Sequence, residues 1–158
     1  MPERRTCCYC LTTEGADIHA AMTLVSAVSL RLANPHCRIV LAADAPSARA
    51  LHTHAHPLLQ AVDEILPVEI PGDAPGGGWS NRFVKTQLRQ RLHGDFLYLD
   101  GDTFITGALD PVFTDSADFA AGTNHNGSGR PEPVFEHELK VFDRLDWARP
   151  STPYVNGG

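Results

Sequence analysis

Short apolar runs of strand character alternate along this chain with segments whose apolar residues recur at helical spacing, and that alternation limits the fold more than any other feature. Thr6 to Thr13, "TCCYCLTT", is a continuous β-rich run, after which Ile18, Met22, Val25, Val28 and Leu32 repeat at the helical period. "CRIVLAAD" (Cys37 to Asp44) is a second run that ends in an acid, followed by "APSARALHTHAHPLL", a helix beginning near Pro46 and stopping around Pro57. "AVDEILPVEI" supplies a third strand, whose Pro67 favours a sheet edge or a bent end because proline cannot donate to a ladder. The Gly- and Pro-dense loop "PGDAPGGGWSNR" leads into the amphipathic "NRFVKTQLRQRLHG", closed by Gly94, and then into "GDFLYLDGDTFITG".

This β-α-β-α-β-α-β rhythm predicts an α/β fold, a mostly parallel sheet with helices on both faces, because parallel neighbours need crossovers. In such sheets ligands bind beyond the carboxyl ends of the strands. Thr12, Thr13, Asp44, Asp100 and Asp102 all fall at those ends.

With 158 residues, the length is that of one domain with a real core, and 42% apolar against 20% charged residues is ordinary globular usage. No apolar run approaches the ~20 residues of a bilayer helix, and the basic start "MPERRTCCYCLTTEG" lacks a small-residue cleavage site, so a cytoplasmic protein is expected. A net charge of −6 argues against nucleic acid as a general partner, while leaving room for one phosphorylated ligand. Of the four cysteines, Cys7, Cys8 and Cys10 crowd into the first strand, where alternation sends Cys8 and Cys10 to one face and Cys7 to the other. With only Cys37 remaining, a zinc knuckle lacks its second pair, and buried reduced thiols are expected.

The pair Asp100 and Asp102 interrupts an apolar run, and buried unpaired carboxylates are costly. The pair is therefore exposed at a strand end, neutralised by a base, or holding a cation. No Lys or Arg stands beside them in sequence, which suits a divalent Mg²⁺ or Mn²⁺ reached by both acids if the chain turns at Gly101. The same spacing also fits a solvated strand end with its acids in a tight turn. "DGDTF" lacks the order of an aspartyl phosphatase, and Phe104 and Pro111 occupy positions where a calcium helix-loop-helix needs oxygen ligands. In "HTHAH", His52 and His56 stand at i, i+4 without a third ligand nearby, which fits a solvated helix face better than zinc.

"RFVKTQLRQRLHGDFLYLDGDTFITGALDPVF" resembles the core of GT-A fold glycosyltransferases, especially family 8, the type of glycogenin and bacterial galactosyltransferases. There a basic residue on a helix precedes an "LYLDxDT" strand, and an "LxPLF" segment follows. "ADFAAGTNH" resembles the family's next strand and "PYVNGG" its "YFNSG" element, so that the likeness spans most of a single domain over residues 1–158. The resemblance implies a GT-A (Rossmann-like) fold and a metal-dependent transfer of a sugar from a nucleotide-diphosphate donor, of the UDP-sugar kind, to a hydroxyl acceptor. It implies that Asp100 and Asp102, with Gly101 between them, bind Mn²⁺ (or Mg²⁺) and through it the diphosphate. Arg82 and Lys85 both match the helix-borne cation, although a solvated basic face shared with Arg89 fits the same spacing. Thr12 and Thr13 match the start of the nucleotide pocket, and Asn156 matches the amide that contacts the sugar.

Family members commonly run on past the N-x-G element to a further metal ligand, often a His, and to acceptor-side residues, whereas this chain stops at Gly158; His125 in "GTNHNGSG" is the candidate substitute within it, although a loop histidine fits that stretch better. A nucleotide-sugar-binding module without turnover is therefore the alternative expectation. A sugar nucleotidyltransferase would need a Gly-rich, Arg-bearing loop after the first strand, and "LTTEGADIHAA" has none.

Overall fold

A computed structural model of the chain describes residues 4–15, 17–71, 78–114, 120–121 and 136–146. They belong to two units, Met1–Asp115 and Ser116–Gly158. In the first, β1 (Thr6–Leu11), β2 (Arg38–Asp44), β3 (Glu64–Val68) and β4 (Phe96–Tyr98) alternate with α1 (Ile18–Ala33), α2 (Ala45–Thr53), α3 (Leu58–Ala61) and α4 (Gly78–Arg91). A single 3₁₀ turn, Asp110–Thr114, follows. In the second unit, α5 (Glu136–Arg144) is described.

The strands form one four-stranded sheet in the order β3-β2-β1-β4. Every pairing is parallel: Cys8 lies opposite Val40 on one side and Tyr98 on the other, and Ala42 lies opposite Leu66. Among the described residues the first unit is thus an α/β structure with an all-parallel sheet of Rossmann-like kind, as the rhythm of the sequence predicts. Pro67 sits on the edge strand β3, where its missing N–H removes nothing from a ladder.

Two cores cover the sheet's faces. Cys7, Tyr9 and Leu11 pack with Ile39 and Leu41 against Ala20, Ala27 and Leu30 of α1, with Leu51 of α2 and Leu58 of α3 on the same side. Cys8 and Cys10 pack with Val40, Ala42 and Val68 against Val84 and Leu88 of α4. The alternation of β1 therefore divides the cysteines as expected, and all four are free and buried. β1 is buried along its whole length, the mark of a central parallel strand with helices on both sides.

The helical stripe that defines α1 in the sequence does not face the sheet. Ile18, Val25, Val28 and Leu32 are exposed, and the buried positions are Ala20, Thr23, Ser26, Ala27, Ser29 and Leu30. Small side chains let the helix lie close to its neighbours, and the hydroxyls among them have a separate use at the site. Capping residues delimit the elements: Asp17 Oδ1 accepts from Ala20 N at 2.9 Å at the start of α1, and Asp44 Oδ1 accepts from Ser47 N at 3.0 Å at the start of α2. Beyond α4, Gly94 adopts φ +73, and Arg89 donates to its carbonyl at 2.8 Å.

Candidate functional site

The strand order creates a crevice. From β1 the chain steps outward to β2 and β3, then crosses to the opposite side of β1 to form β4, so the order reverses between β1 and β4. Open α/β sheets bind ligands beyond the carboxyl ends of the strands at such a reversal. Thr12 and Thr13 follow the end of β1, and Asp100 to Asp102 follow the end of β4.

Asp100 is the best-connected acid there. Its Oδ1 accepts from Lys85 Nζ at 3.0 Å and from the Tyr98 hydroxyl. Lys85 also lies over the Tyr98 ring, 5.1 Å from its centroid. The side chains are 17% exposed for Lys85 and 35% for Asp100, so the pair is screened less than a surface ion pair but is not dry. Burial disfavours the ionised carboxylate, yet the Tyr98 hydroxyl, the Lys85 hydrogen bond and the Lys85 charge outweigh it and hold the Asp100 carboxyl below its usual range. Tyr98 is shifted above the tyrosine range by burial and by the carboxylate that accepts its proton. Cys10, nearby in the same core, has its thiol raised by its hydrogen bond with Cys8 and by burial, and Cys7 is pushed up to about 12 by burial and Cys37. These are inert thiols rather than nucleophiles.

After Asp100 the chain turns. Thr103 N donates to the Asp100 carbonyl at 3.1 Å, and Thr103 Oγ1 donates to the same oxygen at 2.7 Å. Gly101 is needed here for space and not for a left-handed φ, contrary to the expectation that it eases the turn: a Cβ at this position would stand 2.4 Å from Thr23 Oγ1 of α1. Asp102 is exposed at the tip, beside a shallow apolar groove of about 270 Å³ lined by Ile18, Met22, Val25 and Phe104. The segment beyond the turn is fastened to α1: Ile105 N donates to Ser29 Oγ at 2.9 Å, and Asn34 brackets it by accepting from Leu109 N at 2.8 Å and donating to the Gly107 carbonyl at 3.1 Å.

The other expected residues divide. Lys85 reaches Asp100, whereas Arg82 is exposed and makes no ion pair among the described residues, so the two cations three positions apart do not act together. Thr12 is half-buried at the strand end. Thr13 is tied to the starts of two helices: its N–H donates to Ser47 Oγ of α2 at 2.8 Å, and its hydroxyl donates to Asp17 Oδ2, the cap of α1, at 2.6 Å. Asp44 is the cap of α2 and not a ligand-facing acid. α2 ends at Thr53, so His52 and His56 do not share a helix face; His56 Nδ1 instead accepts from Leu58 N at 3.2 Å. Asn156, His125 and most of "ADFAAGTNH" lie outside the described residues. Among the described residues no three of His, Cys, Asp and Glu gather as a metal site, which leaves Asp100 and Asp102 as a two-carboxylate set.

Sequence reasoning missed Tyr98 and Asn81. Tyr98 stands two residues before Asp100, the period that puts side chains on one side of an extended chain, and that signal was available. Asn81 lies one turn ahead of Lys85 on α4, and its Oδ1 is buried without a hydrogen-bond donor among the described residues; nothing in its spacing announces this.

Comparison with protein-family models finds no match for the chain, and comparison with curated proteins finds none either. No helix among the described residues is long and apolar enough to cross a membrane.

Proposed function

We propose that the chain is a metal-dependent glycosyltransferase of the hexosyltransferase type, with a GT-A fold, moving a sugar from a nucleotide-diphosphate donor of the UDP-sugar kind to a hydroxyl acceptor. The observation that carries this reading is the pairing of Asp100, kept ionised by Lys85 and Tyr98, with the exposed Asp102 on one turn at the sheet's point of reversal. The "LYLDGDT" strand and its flanks support it independently.

Asp100 and Asp102 would hold Mn²⁺ or Mg²⁺. Two hard carboxylates fit such an ion, which commonly takes one or two protein acids and completes its shell with water and substrate phosphate. When bound, the ion supplies positive charge to the departing diphosphate. The chain's own residues do the rest of the binding. Lys85 is a fixed cation beside Asp100, suited to a phosphate oxygen. Thr12 and Thr13 close the end of β1, where base and ribose would rest. Asn156 is the amide proposed to meet the sugar. The net charge of −6 makes a small phosphorylated ligand a better partner than nucleic acid, and the free, buried cysteines fit a cytoplasmic site of action.

A nucleotide-sugar-binding module without turnover is the second reading. The ion pair of Lys85 with Asp100 favours it, because the two groups engage each other and neither is committed to an acceptor hydroxyl. Release of sugar from UDP-glucose and UDP-galactose, followed with and without Mn²⁺, separates the two. Mn²⁺-dependent release supports the enzyme, saturable binding without release supports the module, and absence of both overturns the donor assignment.

A further inference from the structure

A line of hydroxyls, buried at Tyr9 and Ser26 and half-buried at Thr103, runs from the middle of the sheet to the turn that carries the acids. Tyr9, fully buried on β1, has its hydroxyl 2.9 Å from Ser26 Oγ, and Ser26 Oγ lies 3.1 Å from Thr103 Oγ1. Thr103 Oγ1 in turn lies 2.7 Å from the Asp100 carbonyl. Each hydroxyl has a single proton, and a carbonyl oxygen can only accept. The proton of Thr103 therefore goes to Asp100, that of Ser26 to Thr103, and that of Tyr9 to Ser26. Every hydrogen in the line has one available direction, set by the carbonyl at its end. Burial pushes the Tyr9 phenol up to about 12, which keeps its proton in place at neutral pH.

We infer that Tyr9 and Ser26 are positioning residues for the turn from Asp100 to Thr103: acting through Thr103, they fix the Asp100 carbonyl and with it the relative placement of the two carboxylates. Hydrogen bonds in series reinforce one another in a poorly solvated interior, and a ligand site gains from a turn whose geometry is set before binding. The inference rests on reading this turn as the ligand-bearing element. It accounts for hydroxyls buried on the sheet-facing side of α1, where an apolar residue would otherwise be expected.

Amide hydrogen exchange of Thr103, whose N–H also donates to the Asp100 carbonyl, reads the turn directly in the full chain. Protection should fall about tenfold in Ser26→Ala and in Thr103→Val, and less in Tyr9→Phe. Thr103→Ser keeps the hydroxyl and should retain wild-type protection. Ser29→Ala removes the neighbouring fastening at Ile105 and should leave Thr103 protected, which separates the relay from general loosening of α1. Affinity for UDP with Mn²⁺ should follow the same order. Unchanged Thr103 protection in Ser26→Ala and Thr103→Val, or an equal loss in Ser29→Ala, would overturn the inference. Failure of the wild-type chain to bind UDP with Mn²⁺ would overturn the proposed ligand instead, and the exchange comparison would still decide whether the relay fixes the turn.

Discussion

Asp100 gathers a lysine, a tyrosine and a turn around one carboxyl group, and its titration should be visible in the stability of the whole protein. Its carboxyl is held below the usual range, so the folded state binds its proton less readily than the unfolded chain. The stability this contributes is complete above the unfolded value, near pH 4, and is lost as pH falls through the folded one. Thermal melts from about pH 5 to about pH 2 should therefore show wild type losing stability faster than Asp100→Asn. Parallel curves would mean that other acids, such as Asp17 and Asp63, which are also held low, account for the acid sensitivity. Gly101 gives a second expectation at this scale. The Cβ of Gly101→Ala would press on a threonine hydroxyl that is itself bonded to the His19 carbonyl, so the cost should be about 1–3 kcal/mol by denaturant unfolding. A change under about 0.5 kcal/mol would show that Thr23 gives way.

At the scale of elements, α1 does two things with two faces. Its buried side is built of small residues, and among them Thr23, Ser26, Ser29 and the adjoining Asn34 touch the segment from Gly101 to Leu109. Leu30 is buried among them, whereas Ile18, Val25, Val28 and Leu32 point away, with Leu32 80% exposed and Ile18 65% exposed. Leu32→Glu should accordingly cost under about 0.5 kcal/mol in this chain, whereas Ala27→Leu, against the sheet, should cost about 1–3 kcal/mol. Equal costs would contradict the orientation of the helix. This is also where the sequence misleads. Periodicity in Ile18, Met22, Val25, Val28 and Leu32 reveals that a helix is there, because spacing along a helix is a local property. It does not reveal which stripe the sheet accepts, because a close approach selects size as well as polarity. The same limit applies at α4: Arg82 and Lys85 are neighbours on the helix, and only the position of β4 selects Lys85. Strand alternation transfers better, since the faces of Cys7, Cys8 and Cys10 follow from a period of two, and Pro67 marks the edge by what it cannot donate.

For the whole molecule, the decisive feature is the order β3-β2-β1-β4, which brings the ends of β1 and β4 together although some eighty-five residues separate them along the chain. The alternation of runs makes a parallel sheet legible in the sequence, but the order of strands depends on which crossover turns back, and no short stretch of residues records that. The acids at the end of β4 and the threonines at the end of β1 thus become one candidate site only through topology. The claim that this site takes a divalent cation together with a nucleoside diphosphate is tested most directly by titrating Mn²⁺ in the presence of UDP, for wild type and for Asp102→Asn. Asp102 is exposed and bears on no core contact, so the variant should fold as wild type does. We predict saturable binding that the variant weakens by at least about tenfold, or ~1.4 kcal/mol. Equal affinity in the two chains, or no saturable binding by wild type, would contradict the account and leave Asp100 and Asp102 as an ion-paired, solvated strand end.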